Sequence, residues 1–327
     1  MTDHRVMKDD LLAFAQEVFL RAGLPKEDAG LVANCLVQVD LRGVVSHGTR
    51  QLGRYLNEFR GGVINPKPEV RLIRQAPISA LFDGDAGIGY IVATTAAQTL
   101  IEKASASGIA VVGTRHHGHI GSVGIYARMA IARDLVFFGV AGGAGWRPLR
   151  DSEATVFDAI ASPPTCFGIP SAEGPPFVLD INTNIFESAD ALHDAMERFP
   201  GALIRSMGLK FVPLILGGAL AGTMPPGESV QDYRHADRGS LMVAFRPDTI
   251  GDLGGFKREV TRLITQSRQL KPLPGLDSTQ VAGSLEWERE RAWSKEGIPL
   301  SEAHVQGLQE VADSVSIQMP RFLRPSP

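Results

Sequence analysis

The stretch Ile109-Ala-Val-Val-Gly-Thr114, the loop Arg115-His-His-Gly-His119-Ile-Gly-Ser-Val-Gly-Ile-Tyr126 and the run Leu135-Val-Phe-Phe-Gly-Val-Ala141 decide the fold. Short apolar runs bounded by turn residues read as buried strands, and the segment between them, Gly121 to Arg133, has helical periodicity. Working outward, Tyr90 to Ala106 reads as a helix before the first run. Arg71 to Arg74 and Ser79 to Asp83 read as strands before that helix, and Phe177 to Ile181 and Leu241 to Phe245 as strands further on. Strands alternating with helices predict an α/β domain over residues 71–254; the fold class expected is α/β with a mixed sheet in that central domain.

Both chain ends have a different texture. Leu11, Phe14, Ala15, Val18 and Phe19 recur at helical spacing, and Leu31, Val32, Cys35, Leu36 and Val39 continue a second stripe after Pro25. A third helix is expected from Ser46 as N-cap to the Gly61-Gly62 pair. Near the C-terminus, Phe256 to Leu270, Ser284 to Lys295 and Ser301 to Val315 read as helices, the first two joined by the stiff linker Lys271-Pro-Leu-Pro-Gly275. The expectation is a helical domain assembled from residues 1–70 and 255–327, wrapped around the central one.

The 327 residues suffice for two or three domains, and 44% hydrophobic with 21% charged residues is an ordinary globular composition. A net charge of -3 leaves no basic footprint for nucleic acid. Two distant cysteines, Cys35 and Cys166, make no disulfide framework, and residues 1–24 carry charges throughout, unlike a signal peptide. The apolar stretch Phe211 to Met224 is too short to span a bilayer. A cytoplasmic protein is expected, with no membrane or nucleic-acid partner.

Three constellations carry chemistry. In Ser46-His-Gly-Thr-Arg50-Gln-Leu-Gly-Arg54, a helix turning about 100° per residue would put His47, Arg50 and Arg54 on one arc. Two guanidiniums could then hold a carboxylate while an imidazole serves the adjacent oxygen with a proton. The bland reading is a solvated polar face with a capping serine. In the second, His119 follows a strand among glycines, where ligands commonly bind; its neighbours His116 and His117 invite a metal, but no second ligand cluster has suitable spacing. In the third, Asp180 leaves a strand in Asp180-Ile-Asn-Thr-Asn184, to orient a histidine or to close an Asx turn. No GxGxxG or GxxxxGK[ST] is present, and the glycine-rich turn Asp83-Gly-Asp-Ala-Gly-Ile-Gly89 is either a phosphate cradle or only a turn.

Together these segments resemble the type-2 malate/L-lactate dehydrogenase family, which includes ureidoglycolate and sulfolactate dehydrogenases, diketogulonate reductase and piperideine-2-carboxylate reductases. The resemblance rests on Asp40-Leu-Arg-Gly43, Ser46-His47-Gly48, Arg54-Tyr55, Phe82-Asp-Gly-Asp85-Ala-Gly87, Gly118-His119-Ile-Gly121, Phe167-Gly-Ile-Pro170, Val178-Leu-Asp180, Leu273-Pro274-Gly275 and Glu296-Gly-Ile-Pro-Leu300, in this order. It implies a non-Rossmann nicotinamide-binding fold, a homodimer, NAD or NADP as cofactor, and a small 2-oxo or cyclic imino carboxylate interconverted with its 2-hydroxy or amino acid. Carried over, His47 is similar to the family's acid/base histidine with Ser46 beside it, and His119 to the proton acceptor of ureidoglycolate dehydrogenases. Asp180, Ile181, Asn182 and Thr183, then Gly275 to Asp277, resemble stretches that contact the dinucleotide.

The departures cluster in one region. Where many members carry an arginine four residues after the Ser-His histidine, this chain has Gln51, which leaves Arg50 and Arg54 for the substrate carboxylate. The family's Gly-Thr-Asn-Pro reads Ala161-Ser-Pro-Pro164, and its Asp-Met-Ala-Thr-Ser reads Asp180-Ile-Asn-Thr-Asn184. Between Asp180 and Lys210 the chain is shorter by roughly twenty residues, and of the family's Gly-x-Lys-Gly-Tyr-Gly only Lys210 remains as a cofactor contact. The alternative reading is therefore a diverged, non-redox ligand-binding relative. The retained His47, His119 and Asp180 favour the oxidoreductase.

Overall fold

The computed structural model describes residues 4–143, 155, 163–182, 189–223 and 233–323. The N-terminal strand β1 (His4–Val6) leads into α1 (Lys8–Arg21), α2 (Lys26–Leu41) and α3 (Leu52–Arg60). Leu11, Phe14, Ala15, Val18 and Phe19 of α1 are all buried, as their spacing predicts, with Asp9 and Asp10 in its first turn and Arg21 in its last to suit the helix dipole. The hairpin β2 (Arg71–Ala76) and β3 (Ser79–Asp83) precedes α4 (Gly89–Ser107), β4 (Ile109–His117), α5 (Gly124–Ile131) and β5 (Val136–Gly142). Gly108, at φ 85°, closes α4 in the left-handed conformation and sends the chain straight into β4. Then come β6 (Pro164–Ile169), β7 (Phe177–Asn182), α6 (Ala189–Arg198), α7 (Pro200–Pro213) with a π turn over Leu214–Ala219, β8 (Arg238–Phe245) and α8 (Leu253–Arg268). Finally α9 (Ser284–Glu296), β9 (Ile298–Leu300) and α10 (Glu302–Val315) return to the N-terminal helices, with Ser301 capping α10.

The main sheet is mixed, seven-stranded, in the order β2-β3-β4-β8-β5-β6-β7. Of its strand pairs only β3 and β4 run parallel. This is unlike the all-parallel order of a doubly wound dinucleotide fold. The register sets Gly142 opposite Gly239, and Pro164 opposite Asn182. The C-terminal ends of β4, β5 and β7 and the N-terminal ends of β8 and β6 therefore meet at one end of the sheet.

Two apolar clusters fill the molecule. One joins α1–α3 to β9 and α10, including Leu11, Phe19, Leu36, Tyr55 and Leu308. The other lies under the sheet, with Phe82, Leu100, Val112, Tyr126, Phe137 and Met242. The short ladder of β1 on β9 pairs His4 with Leu300 and ties the chain ends together.

Three features depart from the sequence reading. The helix expected from Ser46 begins at Leu52, for a reason that lies in the site. Strands β6, β1 and β9 had no strong apolar run to announce them; β6 carries Pro164, Thr165 and Gly168. The expected apolar stretch Phe211 to Met224, whose last residue lies outside the described residues, is not separate. Up to Ala219 it continues α7, so that Pro200–Ala219 forms a twenty-residue helical run of hydropathy 1.4, long and apolar enough by length and composition to cross a membrane. Its π turn packs on the sheet, where Gly142, Gly217 and Gly239 allow the backbones to touch.

Candidate active site

A cleft of about 330 Å³ opens at the end of the sheet where these strand ends meet. His47, His119, Ser122, Asp180, Asn182 and Arg238 are its polar walls, with Val44, Ile120 and Pro163 among the apolar ones. A second hollow of about 270 Å³ shares Val44, Ser122 and Asp180 with it and continues along Gln280 to Glu286.

The loop that carries His47 is shaped by a buried carboxyl group. Asp40, at the end of α2, accepts hydrogen bonds at Oδ2 from Thr49 N (2.9 Å) and Thr49 Oγ1 (2.6 Å). Since the Thr49 hydroxyl spends its proton on Asp40, His304 Nε2, 3.0 Å away, is the donor in the contact with Thr49 Oγ1. Gly48 is forced into an extended conformation against Asp40, so the chain makes two short 3₁₀ turns, Val45–His47 and Thr49–Gln51, before α3 can start. Burial pushes the Asp40 carboxyl up to about 7 against the two hydrogen bonds from Thr49.

That break changes the expected arc. His47 and Arg54 no longer share one continuous helix. Arg50 sits in the second turn, exposed, and its charge helps burial depress His304 to about 4. Arg54 lies on α3, ion-paired to Glu58 at 3.0 Å and over the Tyr55 ring. Neither arginine lines the cleft, although the Arg54 charge reaches His47 and His119.

The two cleft histidines lie side by side, ring centroids 5.5 Å apart and planes 31° from parallel. His47 Nδ1 is 3.0 Å from Ser46 Oγ, which caps no helix. His119 Nδ1 is 2.7 Å from the buried Tyr55 hydroxyl, itself 3.2 Å from that of Tyr90. Burial pulls both imidazoles below their ordinary value. Asp180 opposes this at His47, whereas Arg238, His47, Arg54 and His117 all add to it at His119. His47 is therefore the easier of the two to protonate.

Of the other loop histidines, His116 goes to Asp83 at 2.8 Å, whereas His117 borders the cleft but is held by Thr114 Oγ1 and the Gly118 carbonyl. The glycine-rich turn before α4 is also occupied. The backbone N–H groups of Gly84, Asp85, Ala86, Gly87 and Gly89 donate to Arg115, Asp83, His116, Gly84 and His119, which leaves them no hydrogen bond for a phosphate.

Asp180 does not hydrogen-bond either cleft histidine. It accepts from Ser122 Oγ (2.6 Å) and Gly124 N (2.7 Å), so it caps the start of α5 and reaches His47 through charge alone. Ile181 and Asn182 line the cleft, and Thr183 lies outside the described residues. Lys210 is buried in α7, 2% exposed, and lines neither hollow; Gly275 and Asp277 lie on an exposed linker that reaches the second hollow only from Gln280 onward.

Sequence reasoning missed Arg238 and the hydroxyl of Tyr55. Arg238 opposes His117 in the register of β4 and β8, a position hidden because the apolar run of that strand starts only at Leu241. Tyr55 reads as a core residue, and so it is, except for its oxygen.

Comparison with known proteins matches this chain to the family described as Malate/L-lactate dehydrogenase, over residues 6–198 and 187–309. The malate dehydrogenase of Pyrococcus abyssi is 27% identical, with 96% of each chain covered. The L-sulfolactate dehydrogenase of Methanocaldococcus jannaschii is 25% identical, covering 94% of this chain and 96% of that one. Among solved structures, the malate dehydrogenase of Pyrococcus horikoshii OT3 superposes with a TM-score of 0.83 at 26% identity, covering 98% of each chain. With a match that spans both the sheet and the helical ends, this chain belongs to the malate/L-lactate dehydrogenase family and is an oxidoreductase acting on a CH–OH group.

Proposed function

We propose that the protein is an NAD- or NADP-dependent dehydrogenase that interconverts a small 2-oxo or cyclic imino carboxylate and its 2-hydroxy or amino acid. The observation that carries this reading is the side-by-side pair of imidazoles, His47 held by Ser46 and His119 by Tyr55, in a cleft that also holds a guanidinium. Two neighbouring hollows that share Val44, Ser122 and Asp180 in their walls support a ligand longer than the substrate alone, such as a dinucleotide. The nicotinamide, when bound, supplies or takes the hydride. The chain itself must then supply a proton to the oxygen or nitrogen as the carbonyl or imine is reduced, and take it back in the reverse direction.

His47 is assigned that proton. Burial and the Arg54 charge lower its pKa, but Asp180 stabilises its imidazolium, so of the two histidines it is the one more readily protonated. His119 stays neutral under four surrounding positive or titratable groups and acts in support, hydrogen-bonding the same oxygen. One observation favours the exchanged roles: His119 Nδ1 is held 2.7 Å from the Tyr55 hydroxyl, and if that hydroxyl donates, the proton of neutral His119 sits on Nε2, facing away from Tyr55. Replacing each histidine in turn decides between them.

We further propose the division into a helical unit of residues 1–70 and 255–327 and a central unit of 71–254, supported by the two apolar clusters. A homodimer is supported by apolar side chains exposed on and beside α7, such as Phe199 (65%), Ile204 (63%) and Leu220 (65%). A reducing, cytoplasmic setting is supported by two buried free thiols.

The test of cofactor use is thermal melting with oxidised and reduced NAD and NADP. A ligand bound only by the native state raises the midpoint by linkage. No shift with any of the four at millimolar concentration would remove the redox reading and leave the non-redox alternative.

A further inference from the structure

We infer that Arg238, and neither Arg50 nor Arg54, is the anchor for the carboxylate of the substrate; the inference rests on the proposed carboxylate chemistry of this cleft. Among the described residues that line the cleft, Arg238 is the one permanent cation. Its guanidinium makes no ion pair and no hydrogen bond among the described residues; burial lowers its pKa, and the Asp237 and Glu58 carboxylates oppose that through charge alone. A guanidinium held out of water without a hydrogen-bonded partner is costly, and a planar carboxylate is the ligand whose two oxygens match its fork.

Arg54 is differently placed. Its Nε donates to Glu58 at 3.0 Å and its Nη1 reaches Gln51, so its charge is already answered by a carboxylate that is itself nearly buried. Arg50 is exposed on the far side of the turn, toward His304. The register adds a geometric reason: Arg238 stands opposite His117 on the neighbouring strand, two residues from His119. A carboxylate on Arg238 would therefore hold the adjacent carbonyl within the histidine pair. The same cation helps to keep His119 unprotonated until an anion arrives.

The probe is oxalate, a non-reducible two-carboxylate mimic of a 2-oxo acid, titrated by thermal melting and calorimetry against the full chain with reduced dinucleotide present. Arg238→Met should weaken oxalate binding roughly ten- to a hundredfold and raise KM for a 2-oxo acid by a similar factor, with dinucleotide affinity unchanged. Arg238→Lys should recover part of the loss. Removing the cation should also make His119 easier to protonate, read as an upward shift of its imidazole titration by NMR, a change that a purely structural role would not produce. Oxalate affinity in a folded Arg238→Met equal to that of the parent, or a loss seen in Arg54→Met instead, would overturn the assignment. If Arg238→Met does not fold, Arg238→Gln applies the same criteria. Should the parent bind oxalate on Arg238 yet reduce no 2-oxo or imino acid, the redox reading fails while the anchor stands.

Discussion

Asp40 Oδ1 occupies the space that a β-carbon on Gly48 would need. That oxygen is buried and has no hydrogen-bond partner among the described residues, while Oδ2 holds Thr49. The two residues together fix the chain immediately after His47. Gly48→Ala should cost about 1–3 kcal/mol by overpacking and lower turnover more than dinucleotide affinity. Adding Asp40→Ala should recover part of that loss, read as a coupling in a double-mutant denaturation cycle. Simple additivity would show that the two positions are independent.

The same network gives a pH dependence with two opposed parts. Asp40 rises from 3.8 to about 7 on folding, so between those values the folded chain holds a proton that the unfolded chain has lost. Its contribution therefore falls as pH rises through that window. His304 is lowered from 6.5 to about 4, so there the unfolded chain binds the extra proton and stability grows with pH. Asp40→Asn removes the first part alone. Its melting midpoint relative to the parent should climb from pH about 4 to 7 and then level. A flat difference would mean that Asp40 is not the titrating group.

Tyr55→Phe deletes one hydroxyl and leaves the buried ring in place. A neutral hydrogen bond contributes about 0.5–1.5 kcal/mol, so turnover should fall roughly three- to tenfold with little change in stability or KM. A loss of a hundredfold or more would indicate that the tyrosine pair carries the proton itself.

The exposed apolar residues at α6 and α7 predict a self-associated protein. Sedimentation at micromolar concentration should give twice the 35.1 kDa chain mass, and Ile204→Glu should shift it toward one chain. A parent that sediments as a single chain would contradict the dimer.

Much of the fold was legible because apolar periodicity is local. The stripe of Leu11 to Phe19, the run Ser79 to Asp83 and the helix expected over Ser301 to Val315 all lie where the sequence puts them. The site was legible only in part. Ser46, His47 and His119 announce themselves by type and spacing, but the arc that joined His47 to Arg50 and Arg54 assumed an unbroken helix. A buried aspartate, distant by a turn and a loop, breaks it. Arg238 reaches the cleft through antiparallel pairing with β4, a contact across more than a hundred residues that no local pattern encodes.

The central claim is tested most directly by the rate of nicotinamide-dependent reduction of a 2-oxo carboxylate in His47→Ala beside His119→Ala. His47→Ala should lose roughly a hundredfold or more in turnover with dinucleotide affinity nearly unchanged, and His119→Ala should lose less turnover and more substrate affinity. Full turnover in His47→Ala with abolition in His119→Ala would reverse the roles, and full turnover in both would contradict the mechanism.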